Sequence, residues 1–181
     1  MSNTTLLVIV LVAVAVVVVL LVAFFAYRRR RGQHERARQE YGVEYERLVE
    51  ERGSEREAER ELRERRERVE GEVRPLSEES RRRYGERWQR VERICVDDPG
   101  SSLDEADRVV EEILVERNFP TDSRQEATEG VGVMHPGVVE DFREAQRTYR
   151  GATDSQGEVD LEEMRLAIQK YRTVYERLTE R

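Results

Sequence analysis

The sequence predicts an all-α protein with an N-terminal transmembrane helix, a charged helical stalk and a small C-terminal helical bundle. Three observations indicate this class. Residues 5–27 carry no charge, and residues 55–72 are nearly all Glu and Arg. From residue 75 onward, apolar side chains recur every three or four positions, which is the period of a helix with one buried face. We therefore divide the chain into four parts, which are residues 1–4, 5–27, 28–74 and 75–181.

The apolar segment 5–27 has the length of a membrane span. Its 23 residues would rise roughly 34 Å as a helix, which is enough to cross a hydrocarbon core of about 30 Å. Arg28–Arg31 follow at once, whereas residues 1–4 carry no charged side chain. Because positively charged flanks stay on the cytoplasmic side, we expect the short N-terminus outside and the long C-terminal part in the cytoplasm. The predicted localisation is a single-pass protein of the cell membrane, in which residues 5–27 and the Arg28–Arg31 collar contact lipid.

The amino-acid composition limits how much of the chain can form a compact core and which classes of partner it can bind. Charged residues make up 39% of the chain and aromatic residues 7%, so we expect a compact core in only part of it. Six Arg against one Glu give residues 28–38 a charge of +5, which leaves −12 for the rest of a chain whose net charge is −7. An acidic body of this kind disfavours nucleic-acid binding. Cys95 is the only cysteine, which excludes an internal disulfide.

The predicted stalk, residues 28–74, contains a short amphipathic helix, which we expect to pack on another element, and a second helix that is nearly all Glu and Arg. The first ends before Gly53, and its apolar residues at helical spacing are Tyr41, Tyr45, Leu48 and Val49. Ser54 is placed to cap the second. Acid-first pairs four residues apart, such as Glu59 with Arg63, favour a helix that is exposed to solvent.

A coiled coil is the alternative interpretation of residues 55–72. Leu62 and Val69 are separated by one heptad. Fitting them to one heptad position places Arg65 and Glu72 at its partner position, where apolar residues are needed. The solvated helix is therefore the favoured prediction.

Residues 75–181 contain four stripes that are typical of packed helices. The stripes are Tyr84, Trp88, Val91 and Cys95; Leu103, Ala106, Val110 and Ile113; Val138, Phe142, Ala145 and Tyr149; and Leu161, Met164, Ile168, Tyr171, Tyr175 and Leu178. Ser77, Ser102 and Asp160 stand where N-caps are expected, and residues 121–135 read as a loose segment with one short helix. We expect the stripes to pack on one another in a closed bundle. The alternative is that the last stripe pairs two copies of the chain, which would give a homo-oligomer.

One segment resembles part of a calcium site. Residues 154–163 have the Gly, the apolar residue and the closing Glu of the second half of an EF-hand loop. The first position would be Ala152, which cannot bind a metal, and the fifth would be Gln156. We therefore predict a loop that ends in a helix cap, and no metal site.

The remaining candidates for chemistry are few. His135 precedes Pro136, which suits a first helical position, so we expect the histidine to support a helix start rather than act as a base. Cys95 lies on an apolar stripe and is expected to be buried and structural. Asp97 and Asp98 precede Pro-Gly and are expected to end a helix, and no glycine-rich phosphate loop is present. We predict no catalytic, cofactor-binding or metal-ligating residue, and no enzymatic activity.

Several short motifs resemble those of a bacterial family of uncharacterised single-pass, membrane-anchored helical proteins. They are Tyr41-Gly42 through Tyr45, Arg47 to Ser54, Trp88 ahead of Val96-Asp97-Asp98-Pro99, and Glu105-Ala106-Asp107 with Phe119-Pro120. The resemblance covers most of residues 41–178. It implies a helical fold on a membrane anchor. It implies no activity, cofactor or substrate, because none is established for the family.

These observations favour a noncatalytic, membrane-tethered cytoplasmic interaction or scaffold protein with an unknown protein partner. A small-ligand-binding or enzymatic helical domain on the same anchor is the first alternative. The second is an envelope-facing structural protein of opposite topology. The lack of a nucleophile, a metal set and a phosphate loop disfavours the first alternative, and the placement of the arginines disfavours the second.

Overall fold

The computed structural model describes residues 38–153 and 159–180. Residues Tyr41–Arg181 form one compact unit, and all regular structure in its described part is helical. The helices are α1 (Val43–Arg52), α2 (Glu55–Glu72), α3 (Glu78–Ile94), α4 (Pro99–Glu116), α5 (Arg124–Met134), α6 (Val139–Thr153) and α7 (Leu161–Thr179). The all-α prediction is confirmed.

The predicted transmembrane helix, residues 5–27, lies outside the described residues, as do residues 1–4 and the Arg28–Arg31 collar. In the part that the structure describes, no helix combines the length and the apolar character that a membrane span needs.

The core of the unit is centred on α7. This helix packs against both α4 and α6, and α4 also packs against α3. The predicted stripe of α7 is buried at Ile168, Tyr171 and Leu178, whereas Leu161 at its first turn is 55% exposed. Trp88 of α3 is buried, as predicted, and stacks on Tyr175 with ring centroids 4.5 Å apart.

The start of α4 differs from the sequence prediction. The Asp98 carboxylate accepts a hydrogen bond from the N–H of Ser101 at 3.0 Å, and Pro99 occupies the first turn. Ser102 is therefore inside the helix, and its hydroxyl donates to the carbonyl of Val91 on α3 at 2.9 Å. The prediction that Ser102 caps α4 is wrong, because Asp98 followed by proline already supplies both start signals.

Helices α1 and α2 belong to the same compact unit as the later helices, although the sequence favoured a solvated stalk up to residue 74. Ala58, Leu62 and Val69 lie on one face of α2 and are buried, and α2 packs against α1 and α5. Three apolar residues suffice because the charged remainder of the helix points to solvent or forms ion pairs. The coiled-coil alternative is not supported, because Leu62 and Val69 are already covered within the unit.

Candidate functional site

A surface depression of the unit lies between α2 and the segment that connects α4 to α5. We call it the α2 groove. It encloses about 780 Å³ and is lined by α2 residues between Arg60 and Glu72 and by residues between Asn118 and Gly130. Its floor is apolar and consists of Val69, Phe119 and Pro120.

The floor of the α2 groove is held by a tight turn after α4. Asn118 has a positive φ of 61°, which asparagine tolerates better than most residues. The N–H of Phe119 donates to the carbonyl of Leu114 at 2.9 Å, and the side-chain amide of Asn118 donates to the carbonyl of Glu72 at 3.2 Å. The turn is thus bonded to the last residue of α2.

Gly130 allows α5 to approach this turn. A Cβ at residue 130 would lie 3.0 Å from Cγ of Pro120 and 3.3 Å from Cδ1 of Phe119. Contacts this short are tighter than ordinary packing, so a larger residue would require Pro120 or Phe119 to move by a few tenths of an ångström. Glycine at position 130 therefore permits the close packing of α5 against this floor.

The charges of the α2 groove are unbalanced toward carboxylates. Its lining contains six acidic residues and three arginines. Arg65 crosses the groove to Glu129 at 2.9 Å and also pairs with Glu61, and hydrogen bonds from Arg52 and Arg65 lower the pKa of Glu61. Asp122 and Glu126 are exposed and form no ion pair with another described residue. The groove therefore offers uncompensated negative charge above an apolar floor.

A buried polar network joins α4, α5 and α7. Asp107 is 2% exposed and accepts hydrogen bonds from Arg124 at 3.1 and 3.0 Å and from the hydroxyl of Tyr171. The bond to Asp107 raises the pKa of Arg124, and burial together with Asp107 raises the pKa of Tyr171. The guanidinium of Arg124 therefore stays charged and the phenol of Tyr171 stays protonated. This arrangement fixes the packing of three helices and leaves Asp107 no room to act on a substrate.

Sequence reasoning missed this network, although a signal for it was present. Asp107 lies four residues after Leu103 and three before Val110, on the apolar stripe of α4. A carboxylate on a buried stripe needs a partner. The partner, Arg124, follows in the segment that the sequence showed only as loose.

His135 follows the last residue of α5 and is partly buried. Its backbone N–H donates to the carbonyl of Val131 at 2.7 Å, so its role is at a helix end and not at the predicted helix start. Both ring nitrogens are shielded from solvent and make no hydrogen bond within the described part of the chain, and the ring lies 6.2 Å from that of Phe119. Burial lowers the pKa of His135 to about 4, and the charges of Arg117 and Arg177 add to this effect. The imidazole is neutral at physiological pH.

The other residues singled out from the sequence do not assemble into a reactive site. Cys95 is a free thiol at the end of α3 and is partly exposed, which differs from the predicted full burial. Asp98 caps α4, and Asp97 is exposed. The calcium-like loop falls largely on residues 154–158, which lie outside the described residues. Among the residues that the structure does describe, no group of three or more His, Cys, Asp or Glu is arranged to hold a metal ion.

Comparison of the chain with protein-family models, with curated proteins and with solved structures finds no match. The resemblance to a family of membrane-anchored helical proteins therefore stays a prediction. The α2 groove is the candidate site with the most space and the clearest chemical preference. Its acidic walls and apolar floor suit a positively charged side chain with an aliphatic stem.

Proposed function

We propose that this chain is a noncatalytic, membrane-tethered interaction protein whose helical unit binds a basic segment of a partner protein in the α2 groove. The tether is the apolar segment 5–27, and the Arg28–Arg31 collar supports a cytoplasmic position for the helical unit. The observation that carries the proposal is the excess of carboxylates around an apolar floor. Lysine and arginine bury their stems on such a floor and place their charge against the walls.

The dimensions of the α2 groove fit a short peptide segment. From residue 60 to residue 72, α2 rises about 18 Å, which is the length of about five extended residues. The volume of about 780 Å³ is adequate for several side chains. Two exposed carboxylates, Asp122 and Glu126, are free to pair with a ligand, because no described residue pairs with them.

Binding can be tested with a labelled peptide and matched charge variants. We would measure fluorescence anisotropy of a short Lys- and Leu-containing peptide with the full chain in detergent. The double change Asp122→Asn with Glu126→Gln should weaken binding about tenfold, since two exposed ion pairs together contribute roughly 1–2 kcal/mol. The control is Glu79→Gln with Glu163→Gln, which removes two exposed first-turn carboxylates from α3 and α7. Equal weakening in both variants, or none in either, would refute the α2 groove as the binding site.

The cytoplasmic position of the helical unit has its own test. Glu57 is exposed on α2, so Glu57→Cys in a chain with Cys95→Ser provides one accessible thiol. A membrane-impermeant thiol reagent should leave it unlabelled in intact cells and label it after lysis. Labelling of intact cells would reverse the topology and favour the envelope-facing alternative.

The noncatalytic part of the proposal concerns His135 and Cys95. A cellular phenotype of the gene should survive His135→Ala and Cys95→Ser, provided that protein abundance is unchanged. Loss of the phenotype in a folded and abundant His135→Ala protein would favour the ligand-binding or enzymatic alternative instead.

A further inference from the structure

A second pocket, of opposite charge to the α2 groove, lies where α1, α5 and α6 meet. It encloses about 280 Å³ and is lined by five arginines but by only one carboxylate, Glu129. We call it the arginine pocket. The arginines are Arg47, Arg124, Arg143, Arg147 and Arg150. Such a concentration of positive charge is unexpected in a chain with a net charge of −7.

Two of these arginines are fixed from behind by a buried carboxylate. Glu44 is fully buried, and it accepts hydrogen bonds from Arg47 at 2.6 Å and from Arg143. Burial alone would raise the pKa of Glu44, but the hydrogen bonds and charges of the two arginines outweigh it and lower the pKa. Gly132 packs against this carboxylate, since a Cβ there would lie 3.4 Å from Cδ of Glu44, which is ordinary contact, and 3.2 Å from Cγ2 of Val139. The side chains of Arg47 and Arg143 are therefore held in place before any ligand arrives.

The donors of the arginine pocket are not all used. Nε of Arg47 is shielded from solvent and has no hydrogen-bond partner within the described residues. Arg147 and Arg150 are exposed, and neither forms an ion pair with a described residue, although Nε of Arg150 donates to the carbonyl of Gln146 at 3.4 Å. Glu129, the single carboxylate of the lining, is already paired with Arg65 at 2.9 Å. The pocket thus has positive charge, from Arg147 and Arg150, that no described carboxylate compensates.

Two further features of the arginine pocket favour an anionic ligand. The N-terminus of α5 lies at this pocket, since Arg124 and Gln125 begin that helix and line the site. The N–H of Glu126 is capped by the hydroxyl of Ser123 at 3.1 Å, and the dipole of α5 at this end favours an anion. The buried amide of Gln146 and the hydroxyl of Thr128, 3.1 Å apart, add neutral hydrogen-bonding groups to the wall.

We propose that the arginine pocket binds a small phosphate monoester. An arginine guanidinium can donate two parallel hydrogen bonds to two oxygen atoms of a phosphate. The pocket volume of about 280 Å³ suits a phosphate group esterified to a small organic molecule. A phosphorylated metabolite and the headgroup of phosphatidic acid share this chemistry. The site is separate from peptide binding in the α2 groove, and neither proposal requires the other.

The test uses the full chain in detergent at fixed ionic strength. Isothermal titration with glycerol 3-phosphate should show saturable binding, and titration with glycerol should show none. A parallel titration with phosphatidic acid in mixed micelles identifies the source, because a lipid ligand will bind there and compete with glycerol 3-phosphate. Saturable binding of either probe supports the proposal, and absence of binding to both overturns it.

Paired variants tie the binding to this pocket. Arg147→Gln with Arg150→Gln should raise the dissociation constant at least tenfold. Both residues are exposed and form no ion pair with a described residue, so the circular dichroism spectrum should not change. The control, Arg82→Gln with Arg90→Gln, removes the same charge from exposed positions of α3 and should bind like the parent. Equal weakening in both double variants would show unspecific attraction of anions and would overturn the proposal.

Discussion

The shielded imidazole of His135 makes a measurable prediction about stability and pH. The folded chain holds this ring with a pKa of about 4, whereas an exposed histidine in the unfolded chain titrates near 6.5. Below pH 6.5 the unfolded chain therefore binds a proton that the folded chain accepts only near pH 4. The free energy of unfolding that depends on His135 is complete above pH 6.5 and is lost as the pH falls toward 4.

The size of the effect follows from the two pKa values. Linkage between protonation and folding lowers the free energy of unfolding by about 2 kcal/mol between pH 7.5 and pH 5. The total loss is about 3.4 kcal/mol once the pH is below both pKa values of His135. The pKa of His135 is lowered first by burial and then by the charges of Arg117 and Arg177, whereas the charge of Glu180 raises it. Replacing His135 by leucine should remove this pH-dependent part. The two unbonded ring nitrogens also disappear, so the variant should not be greatly destabilised at neutral pH.

The measurement is urea unfolding at pH 7.5 and pH 5, followed by fluorescence of the single tryptophan, Trp88. Both chains should carry His34→Gln, so that His135 is the only histidine of the parent. Carboxylates titrate in both chains alike, and their contribution cancels in the comparison. The parent should lose about 2 kcal/mol more than the His135→Leu chain over this interval. Equal losses in the two chains would show that the folded protein protonates His135 as easily as the unfolded one, and the reasoning would be refuted.

Three further predictions concern packing, and each is measured as a change in the free energy of unfolding. Asp107→Asn should lower the free energy of unfolding by about 2–3 kcal/mol. This is less than the cost of breaking a fully buried ion pair, because the side chain of Arg124 is 38% exposed. A cost below about 0.5 kcal/mol would contradict the role of the network in packing. Gly130→Ala should cost about 1–3 kcal/mol through its contact with the floor of the α2 groove. Gly71→Ala on α2, where a Cβ meets nothing within 4 Å, should instead stabilise by up to about 1 kcal/mol, and equal effects would refute the packing role of Gly130. Trp88→Ala should cost about 3–5 kcal/mol by circular dichroism, as the loss of a large buried aromatic does, and a melt like that of the parent would contradict its place in the core.

The helices of the core could be predicted because their information is local. Ile168, Tyr171 and Leu178 recur at helical spacing, and that spacing alone indicates which face of α7 is buried. Leu161 fits the same spacing and is nevertheless exposed, because burial at a helix end depends on what lies opposite. Periodicity within one helix carries no information about its neighbours.

Helix α2 shows why composition was a poor guide to the boundary of the compact unit. An average over residues 55–72 is dominated by Glu and Arg, whereas burial depends on one face only. Ala58, Leu62 and Val69 form that face, and their contribution became clear only with α5 placed beside them. Gly130 gave a further local signal that was ambiguous, since a glycine in a helix signals both a weak helix and a close approach.

Neither candidate site could be read from the sequence. The α2 groove combines residues near 60–72 with residues near 118–130, and the arginine pocket combines three helices. In a chain with 32 basic and 39 acidic residues, no single charge stands out. The structure separates the charges that have partners from those that do not, such as Asp122 with Glu126 and Arg147 with Arg150.

Glu129 offers a joint test, because it lines both the α2 groove and the arginine pocket. Glu129→Gln keeps the shape of the side chain and the contact with Gln125 but removes the negative charge, and it releases Arg65, which is then held only by Glu61. The groove becomes less acidic and the pocket more basic. Binding of the basic peptide should therefore weaken while binding of glycerol 3-phosphate tightens, each by several-fold, since one partly exposed charge contributes up to about 1 kcal/mol. A change in the same direction for both ligands would mean that they do not occupy sites of opposite charge on the two sides of α5.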